Sequence, residues 1–376
     1  MNKALDKQHY AATLLTDLSK AFDCINHELL TAKLEAYGFS HSSLKYIYSY
    51  LSERKQRTKV NNSYSSWSYI SSGVPQGSIL GPLLFNIYLN DIFYFLDEID
   101  LTNYADDNTP YKIGKCLECV LTNLENNTLL LIKWFDQNYL KMNPDKCHLL
   151  VPKHTDKTIL NINNKIIKGE PSVKLLGLTI DDKLNFTEHV SNLCRKASQK
   201  LHALARIAPY MQSNKRKILM KAFIESQFNY CPLLWMFHNR TMNNRINNIH
   251  ERALRIAYSD NNSSFLQLLQ KDESFTIHER NLQRLAVEIY KTKNGLAPSF
   301  MNEVFCDTTN PHNLRNKSSL KTSNVKSVYN GTETISFRAP QIWSLVPNNI
   351  KNVPSQEEFK KLIKKMETRG LHLQVM

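Results

Sequence analysis

The chain has 376 residues, 42% of them hydrophobic, enough to bury two or three cores and too apolar for a disordered polymer. Forty-eight Lys and Arg against thirty-four Asp and Glu give a net charge of +14 and a pI near 9.3, a balance that suits nucleic acid, an anionic membrane surface or simple solubility. Met1 to Tyr10 is polar with no apolar h-region, no apolar run reaches the length of a bilayer span, and seven scattered cysteines form no disulfide framework, so the expectation is a soluble intracellular protein, nuclear or cytoplasmic, with no membrane partner.

In chain order, Ala11 to Leu18 reads as a buried strand that carries Asp17 at its tip. Asn26 is placed to cap a helix with Leu30, Leu34 and Tyr37 on one stripe and Gly38 at its C-terminal end. Leu44, Ile47, Tyr48 and Leu51 repeat that spacing behind Ser42. Arg54 to Val60 and Tyr64 to Ser71 form a basic hairpin turning at Asn61-Asn62, followed by the loop Gly73 to Gly77 and a helix from about Pro82. Leu101 to Tyr104, Asp106-Asp107 and Thr109 to Ile113 read as strand, turn, strand, because Asp and Asn favour turns between β-prone flanks. A long helix from Leu117 to Leu140 and strands near Cys147 to Val151 and Val173 to Ile180 complete an α+β unit.

Beyond Glu188 helical stripes with clustered Lys and Arg take over, as at Arg195, Lys196, Lys200, Arg206 and Lys215 to Lys217. The predicted domains are therefore 1–187, a helical 188–305, and 306–376, the last opening with a loop over Cys306 to Thr332 and closing with a helix that Ser355 and Glu358 begin as a capping box. His250-Glu251 and His278-Glu279 are expected as surface pairs on helices, and Lys360, Lys361, Lys364 and Lys365 as a solvated helix face.

Three carboxylates stand out. Two divalent cations about 4 Å apart, held by bridging carboxylates, are what phosphoryl transfer to a growing strand requires. Acids held that close repel one another unless metal lies between them, and Asp17, Asp106 and Asp107 fit such a group. A bare Asp-Asp is a solvated turn by itself, so the ordered set decides: Leu15-Thr16-Asp17-Leu18-Ser19-Lys20-Ala21-Phe22-Asp23, then Gly73-Val74-Pro75-Gln76-Gly77-Ser78-Ile79-Leu80-Gly81-Pro82-Leu83-Leu84-Phe85, then Tyr104-Ala105-Asp106-Asp107. The set resembles motifs A, B and C of the reverse transcriptases of jockey-like and other LINE-type non-LTR retrotransposons. Asn143-Pro144-Asp145-Lys146 is similar to motif D, and Val173 to Asp181 with Phe186 and His189 to the primer-grip hairpin. Asn229 to Trp235 and Ser336 to Trp343 are similar to the downstream region of the same elements.

The resemblance implies a polymerase palm, an antiparallel sheet with packed helices, over 1–187, followed by a mainly helical thumb and C-terminal region. It implies an RNA-directed DNA polymerase that uses an RNA template, a DNA primer, deoxynucleoside triphosphates and two Mg²⁺ or Mn²⁺ ions. Asp17, Asp106, Asp107 and the Leu18 carbonyl would be the metal ligands. Phe22 would lie under the sugar and exclude a 2′-hydroxyl, Gln76 and Gly77 would contact nucleotide and template, and Lys146 would protonate the leaving pyrophosphate. Only sixteen residues precede Asp17, where the family carries a fingers region. A truncated copy is expected, with an apolar face exposed on the first strand and helices, and the alternative function is an inactive remnant that binds nucleic acid by charge.

Other signals are set aside. Cys116-x-x-Cys119, with Cys147-His148 as distant partners, lacks a second pair at zinc spacing. Gly73, Gly77 and Gly81 repeat every fourth residue, but Pro75 and Gln76 between them exclude a membrane helix pair. No Walker loop, dinucleotide fingerprint or His-Glu-x-x-His occurs.

Overall fold

The computed structural model describes every residue except 97–98, 155–157, 238–239, 307–319, 323, 328–330 and 367–376, and the side chain of Arg240. Much of the Cys306 to Thr332 loop expected from the sequence lies outside the described residues. The chain divides into two units, Met1 with Gln8–Val173, and Asn2–Lys7 with Lys174–Met376. The division falls inside the expected primer-grip hairpin, ahead of the boundary expected at Glu188.

The first unit is built on β1 (Tyr10–Leu15). Its residues are apolar or β-branched on both faces because both faces are covered, the pattern of an interior strand. One edge pairs antiparallel with β7 (Asp107–Gly114), Thr13 opposite Tyr111, and the other with β8 (His148–Leu150), Thr13 opposite Leu150. With β6 (Leu101–Tyr104) beyond β7, the sheet order is β6-β7-β1-β8. The expected apolar exposure on this strand is corrected: Ala12 and Leu14 are fully buried, because both edges are hydrogen-bonded and the long helix α4 (Leu117–Gln137) packs on the sheet. Exposure falls instead on the helices, at Tyr46, Tyr48 and Leu83.

The helices begin where the sequence places their caps. Asn26 Oδ1 accepts a hydrogen bond from the Leu29 amide (2.8 Å) at the start of α1 (His27–Ala36), and Gly38 ends it at φ +87°. The next helix, α2 (His41–Leu51), is capped by Ser40 rather than starting behind Ser42. Two paired segments, β2 (Lys55–Gln56) with β5 (Ser68–Tyr69) and β3 (Lys59–Val60) with β4 (Ser63–Tyr64), form the expected basic hairpin. Helix α3 (Leu80–Asn90) follows. A further hairpin, β9 (Ile159–Ile162) with β10 (Lys165–Lys168), is one that the sequence pattern did not announce. Leu160, Ile162 and Ile167 bury themselves in the same core as Leu14, Leu34, Phe85 and Leu131.

One buried charge in this core is unexpected. Lys33 lies on the apolar stripe of α1 and is buried, its ammonium bonded to the Asp91 carboxylate (2.8 Å), the Tyr88 carbonyl (2.7 Å) and Asn138 Oδ1 (2.6 Å). Burial pushes its pKa down and Asp91 partly offsets that.

The second unit is mainly helical. β11 (Ser172–Leu175) and β12 (Leu178–Asp181) pair through the turn Leu176-Gly177, both at positive φ. Then come α5 (Thr187–Ile207), α6 (Ser213–Leu219), α7 (Arg240–Tyr258), α8 (Phe265–Lys271), α9 (Ile277–Lys293), α10 (Ile335–Leu345) and α11 (Gln356–Lys365). Trp235 belongs to a core with Val190, Leu254 and Leu268, while Ile342 and Trp343 belong to another with Leu282, Ile289 and Phe359. The two downstream signatures therefore build cores. Helix α9 contributes to both cores, through Ile277 to one and Leu282 to the other.

Two expectations about this unit are corrected. His250, His278 and Glu279 are buried rather than on the surface. His250 Nε2 lies 3.2 Å from Glu225 Oε1, and Arg280 donates to Glu225 Oε2 at 2.6 Å, so the histidine faces a buried charge pair. Glu279 forms a full capping box with Thr276, as Gln267 does with Ser264. At Ser355 only the bond from the Glu358 amide to the serine hydroxyl forms (3.1 Å).

Candidate active site

Strand β1 continues past Leu15 as a bridge rather than a ladder. Thr16 donates twice to the Asn108 carbonyl, through its amide (3.0 Å) and its hydroxyl (2.8 Å). The next residue, Asp17, is thereby set opposite the β6–β7 turn. Its carbonyl accepts from the Asn143 amide (2.9 Å), and Ser19 donates to the Lys141 carbonyl (2.8 Å). Backbone bonds on both sides thus hold Asp17 in place.

The opposing turn is tight. Tyr104 pairs with Asp107, leaving Ala105 and Asp106 as the two turn residues, with Ala105 at φ +53°. A left-handed alanine is strained by about 1–2 kcal/mol, and two asparagines hold it there. Asn103 Nδ2 donates to the Ala105 carbonyl (3.0 Å) and to Asn108 Oδ1 (2.8 Å), and Asn108 Nδ2 donates to the Asp106 carbonyl (3.0 Å). Asn108 is fully buried. Thr16, Asn103 and Asn108 are site residues that the motifs do not reveal. Their signal is a polar side chain in a buried strand register, which must find partners.

Burial, then the charges of Asp106 and Asp17, push the Asp107 carboxyl above its ordinary value. The Lys146 ammonium, at the end of the turn Pro144–Lys146, lies 3.2 Å from Asp17 Oδ2. Among the described residues no three His, Cys, Asp or Glu side chains are gathered closely enough to hold a metal ion. The donor chemistry nevertheless suits a hard divalent cation: three carboxylates that repel one another, one of them paired with a lysine.

The remaining predicted residues lie around this edge. Leu18 is buried and bridges to Met142. Phe22 stacks on Phe85, centroids 4.1 Å apart at 18°, and its other side lines a cavity of about 490 Å³ with Asn86, Phe93, Asn103, Tyr104 and Ala105. The Gly73–Gly77 loop is fastened to the Phe22 turn, Val74 donating to the Phe22 carbonyl (2.9 Å) and Gly73 to that of Ile25 (2.7 Å). Gln76 donates to Asp23 Oδ1 (2.9 Å). Gly77, at φ +81°, is exposed, and a Cβ added there would meet no atom within 4 Å. Cys116 caps α4, its sulfur accepting from the Cys119 amide (3.4 Å), so that pair has a helical role.

Residues 1–180 match the reverse transcriptase (RNA-dependent DNA polymerase) family. This stretch is a reverse transcriptase domain. The chain is 28% identical over 269 residues to the probable RNA-directed DNA polymerase from transposon BS of Drosophila melanogaster, covering 67% of this chain and 29% of that protein. It is 28% identical over 200 residues to the RNA-directed DNA polymerase from mobile element jockey of the same species, covering 51% and 22%. The Drosophila funebris jockey polymerase is 24% identical over 265 residues, covering 67% and 29%. The chain thus spans less than a third of the length of these relatives, and the similarity to non-LTR retrotransposon enzymes holds over that part. No helix among the described residues is long and apolar enough to cross a membrane.

Proposed function

We propose that this reverse transcriptase domain, with the helical unit that follows it, performs RNA-directed DNA synthesis for a non-LTR retrotransposon, extending a DNA primer on an RNA template with deoxynucleoside triphosphates. The observation that supports the reading is that Asp17, two residues past the end of β1, follows the Thr16–Asn108 bridge and so comes opposite the β6–β7 turn that carries Asp106 and Asp107.

In this reading Asp17, Asp106, Asp107 and the Leu18 carbonyl would hold two Mg²⁺ or Mn²⁺ ions. When bound, the ions supply activation of the primer 3′-hydroxyl and neutralisation of the triphosphate. The chain's own side chains do the rest. Phe22, stacked on Phe85 and lining the cavity beside Tyr104-Ala105, rejects a ribose 2′-hydroxyl by volume. Gln76 and Gly77 meet nucleotide and template, the glycine leaving its backbone open to close approach. As the primer 3′-hydroxyl loses its proton to solvent water, its oxygen bonds to the α-phosphorus and the α–β bridging bond breaks, while Lys146 releases Asp17, gives its Nζ proton to the departing pyrophosphate and regains one from solvent.

Primer extension on an RNA template tests this. Product formed by the wild-type chain should fall by about a hundredfold or more in Asp106→Asn, the scale of losing one charge stabiliser in a closed site. Binding without extension by the wild-type chain, or extension undiminished in the variant, would refute the proposal.

A further inference from the structure

The hairpin of β2 to β5 has a chemically divided surface. Lys55 lies directly opposite Tyr69 and Lys59 opposite Tyr64, so each pair shares a face, and Arg57, two residues from either lysine, alternates onto that same face. The contacts agree: Lys55 lies 4.5 Å from the Tyr69 centroid, Arg57 4.1 Å from Tyr64 and 4.6 Å from Trp67, and Lys59 5.2 Å from Tyr64. Between Arg54 and Ser72 there is no acidic residue. These aromatics are not core. Tyr69 is 70% exposed, Trp67 58% and Tyr64 51%, so each ring keeps open surface beside the cations that pack on it. Tyr69 also lines a cleft of about 600 Å³ that runs from Arg54 and Gln56 at the root of the hairpin to Gly73 and Gln76.

We propose that this face binds a single strand of nucleic acid, bases stacking on Tyr64, Trp67 and Tyr69 while Lys55, Arg57 and Lys59 neutralise its phosphates. Alternating cations and aromatic rings match the repeat of phosphate and base along one strand, and stacking on open rings tolerates any sequence. A duplex, whose base faces are covered by its own stacking, cannot use the rings. RNA and DNA strands share this chemistry. The proposal takes from the polymerase reading only the choice of polymer and requires no catalysis.

Trp67 is its own probe, because Trp134, Trp235 and Trp343 are each at most 4% exposed. The full chain is titrated in EDTA, without nucleotides, with oligouridine RNA, oligothymidine DNA, an abasic DNA of equal length and phosphatidylserine vesicles. Quenching of the exposed tryptophan by either base-bearing oligomer supports the proposal and identifies the strand. Trp67→Ala should bind that oligomer about tenfold or more weakly. Lys55→Gln with Lys59→Gln should lower the salt slope by about 1.4, whereas the charge-matched, exposed pair Lys361→Gln with Lys365→Gln should leave it unchanged. Equal binding of the abasic strand, equal effects of the two lysine pairs, or quenching by vesicles alone would each overturn it. Quenching without primer extension would count against catalysis alone, and extension without quenching against this surface alone.

Discussion

Gly73→Ala should be among the most damaging single-methyl changes in the reverse transcriptase domain, and Gly77→Ala, four residues on, should be mild. Both glycines sit at positive φ, +84° and +81°, where an alanine costs about 1–2 kcal/mol. They differ in what a Cβ would meet. At Gly73 it would lie 2.7 Å from the Asp23 Cα, 2.8 Å from its carbonyl oxygen and 2.9 Å from its carbonyl carbon, whereas at Gly77 nothing lies within 4 Å. Backbone cannot rotate aside as a side chain can, so the loop must move, which adds about 1–3 kcal/mol, the usual range for overpacking. The move also breaks the bonds that join Gly73 to Ile25 and Val74 to Phe22. Amide hydrogen exchange of Ala11–Leu15 reads the opening free energy of the central strand. The expected losses are about 2–5 kcal/mol for Gly73→Ala and about 1–2 kcal/mol for Gly77→Ala. Equal losses would show that close packing on Asp23 does not constrain the loop, and the argument for its rigid seating of Phe22 would fail.

Lys33→Ala removes the cation but leaves Asp91, the Tyr88 carbonyl and Asn138 to face the cavity, and should destabilise the same domain by about 3–5 kcal/mol in the same exchange measurement; a loss below about 1 kcal/mol would mean solvent reaches that site. In the helical unit, burial pushes the Glu225 carboxyl up, but the His250 hydrogen bond and the Arg280 charge outweigh it and hold it at about 2, against an ordinary 4.5, while burial pushes His250 below 6.5. Both depressed values mean that the unfolded chain binds protons first. Stability present above pH 6.5 should decline through the His250 window and again from 4.5 toward 2, and Glu225→Gln should shrink the lower phase in acid unfolding of α7 and α9, leaving the part due to Asp260 and Asp272, whose carboxyls are also lowered. Asp107 has the opposite sign: its raised value makes the folded form the tighter proton binder, so its contribution weakens as pH rises from 3.8 through that value. Carboxyl-resolved NMR should show its pKa fall on addition of millimolar Mg²⁺, and a pKa unmoved by Mg²⁺ would argue against cation binding there.

The motifs are legible because each combines a turn-forming residue with a strand or helix of clear periodicity. Asn26, Gly38 and the β6–β7 turn, which falls on Ala105-Asp106 one residue before the expected Asp106-Asp107, act locally, through caps and dihedrals that neighbours within four residues decide. Boundaries shift by a few residues where competing caps stand side by side, as Ser40 and Ser42 do. His250 and Glu279 defy the sequence expectation because charged residues on a helix ordinarily face water; the Glu225–Arg280 pair receives His250, and the capping box with Thr276 satisfies the buried Glu279. Lys33 does carry a signal of burial in the sequence, its position on the stripe of Leu30 and Leu34.

Sequence alone therefore determined the domain's resemblance to a family, most of its strands and helices in order though not the β9–β10 hairpin, and which carboxylates and loop glycines to watch, since those depend on residue identity and short-range spacing. Only the tertiary structure decided that Thr16 and Asn108 set Asp17 beside the turn, that Asn103 holds Ala105 left-handed, and that the hairpin turns all its cations and rings to one face. The first rests on a partner dozens of residues away and the others on the register of short hairpins, and register is settled by burial of whole faces rather than by any local run of letters.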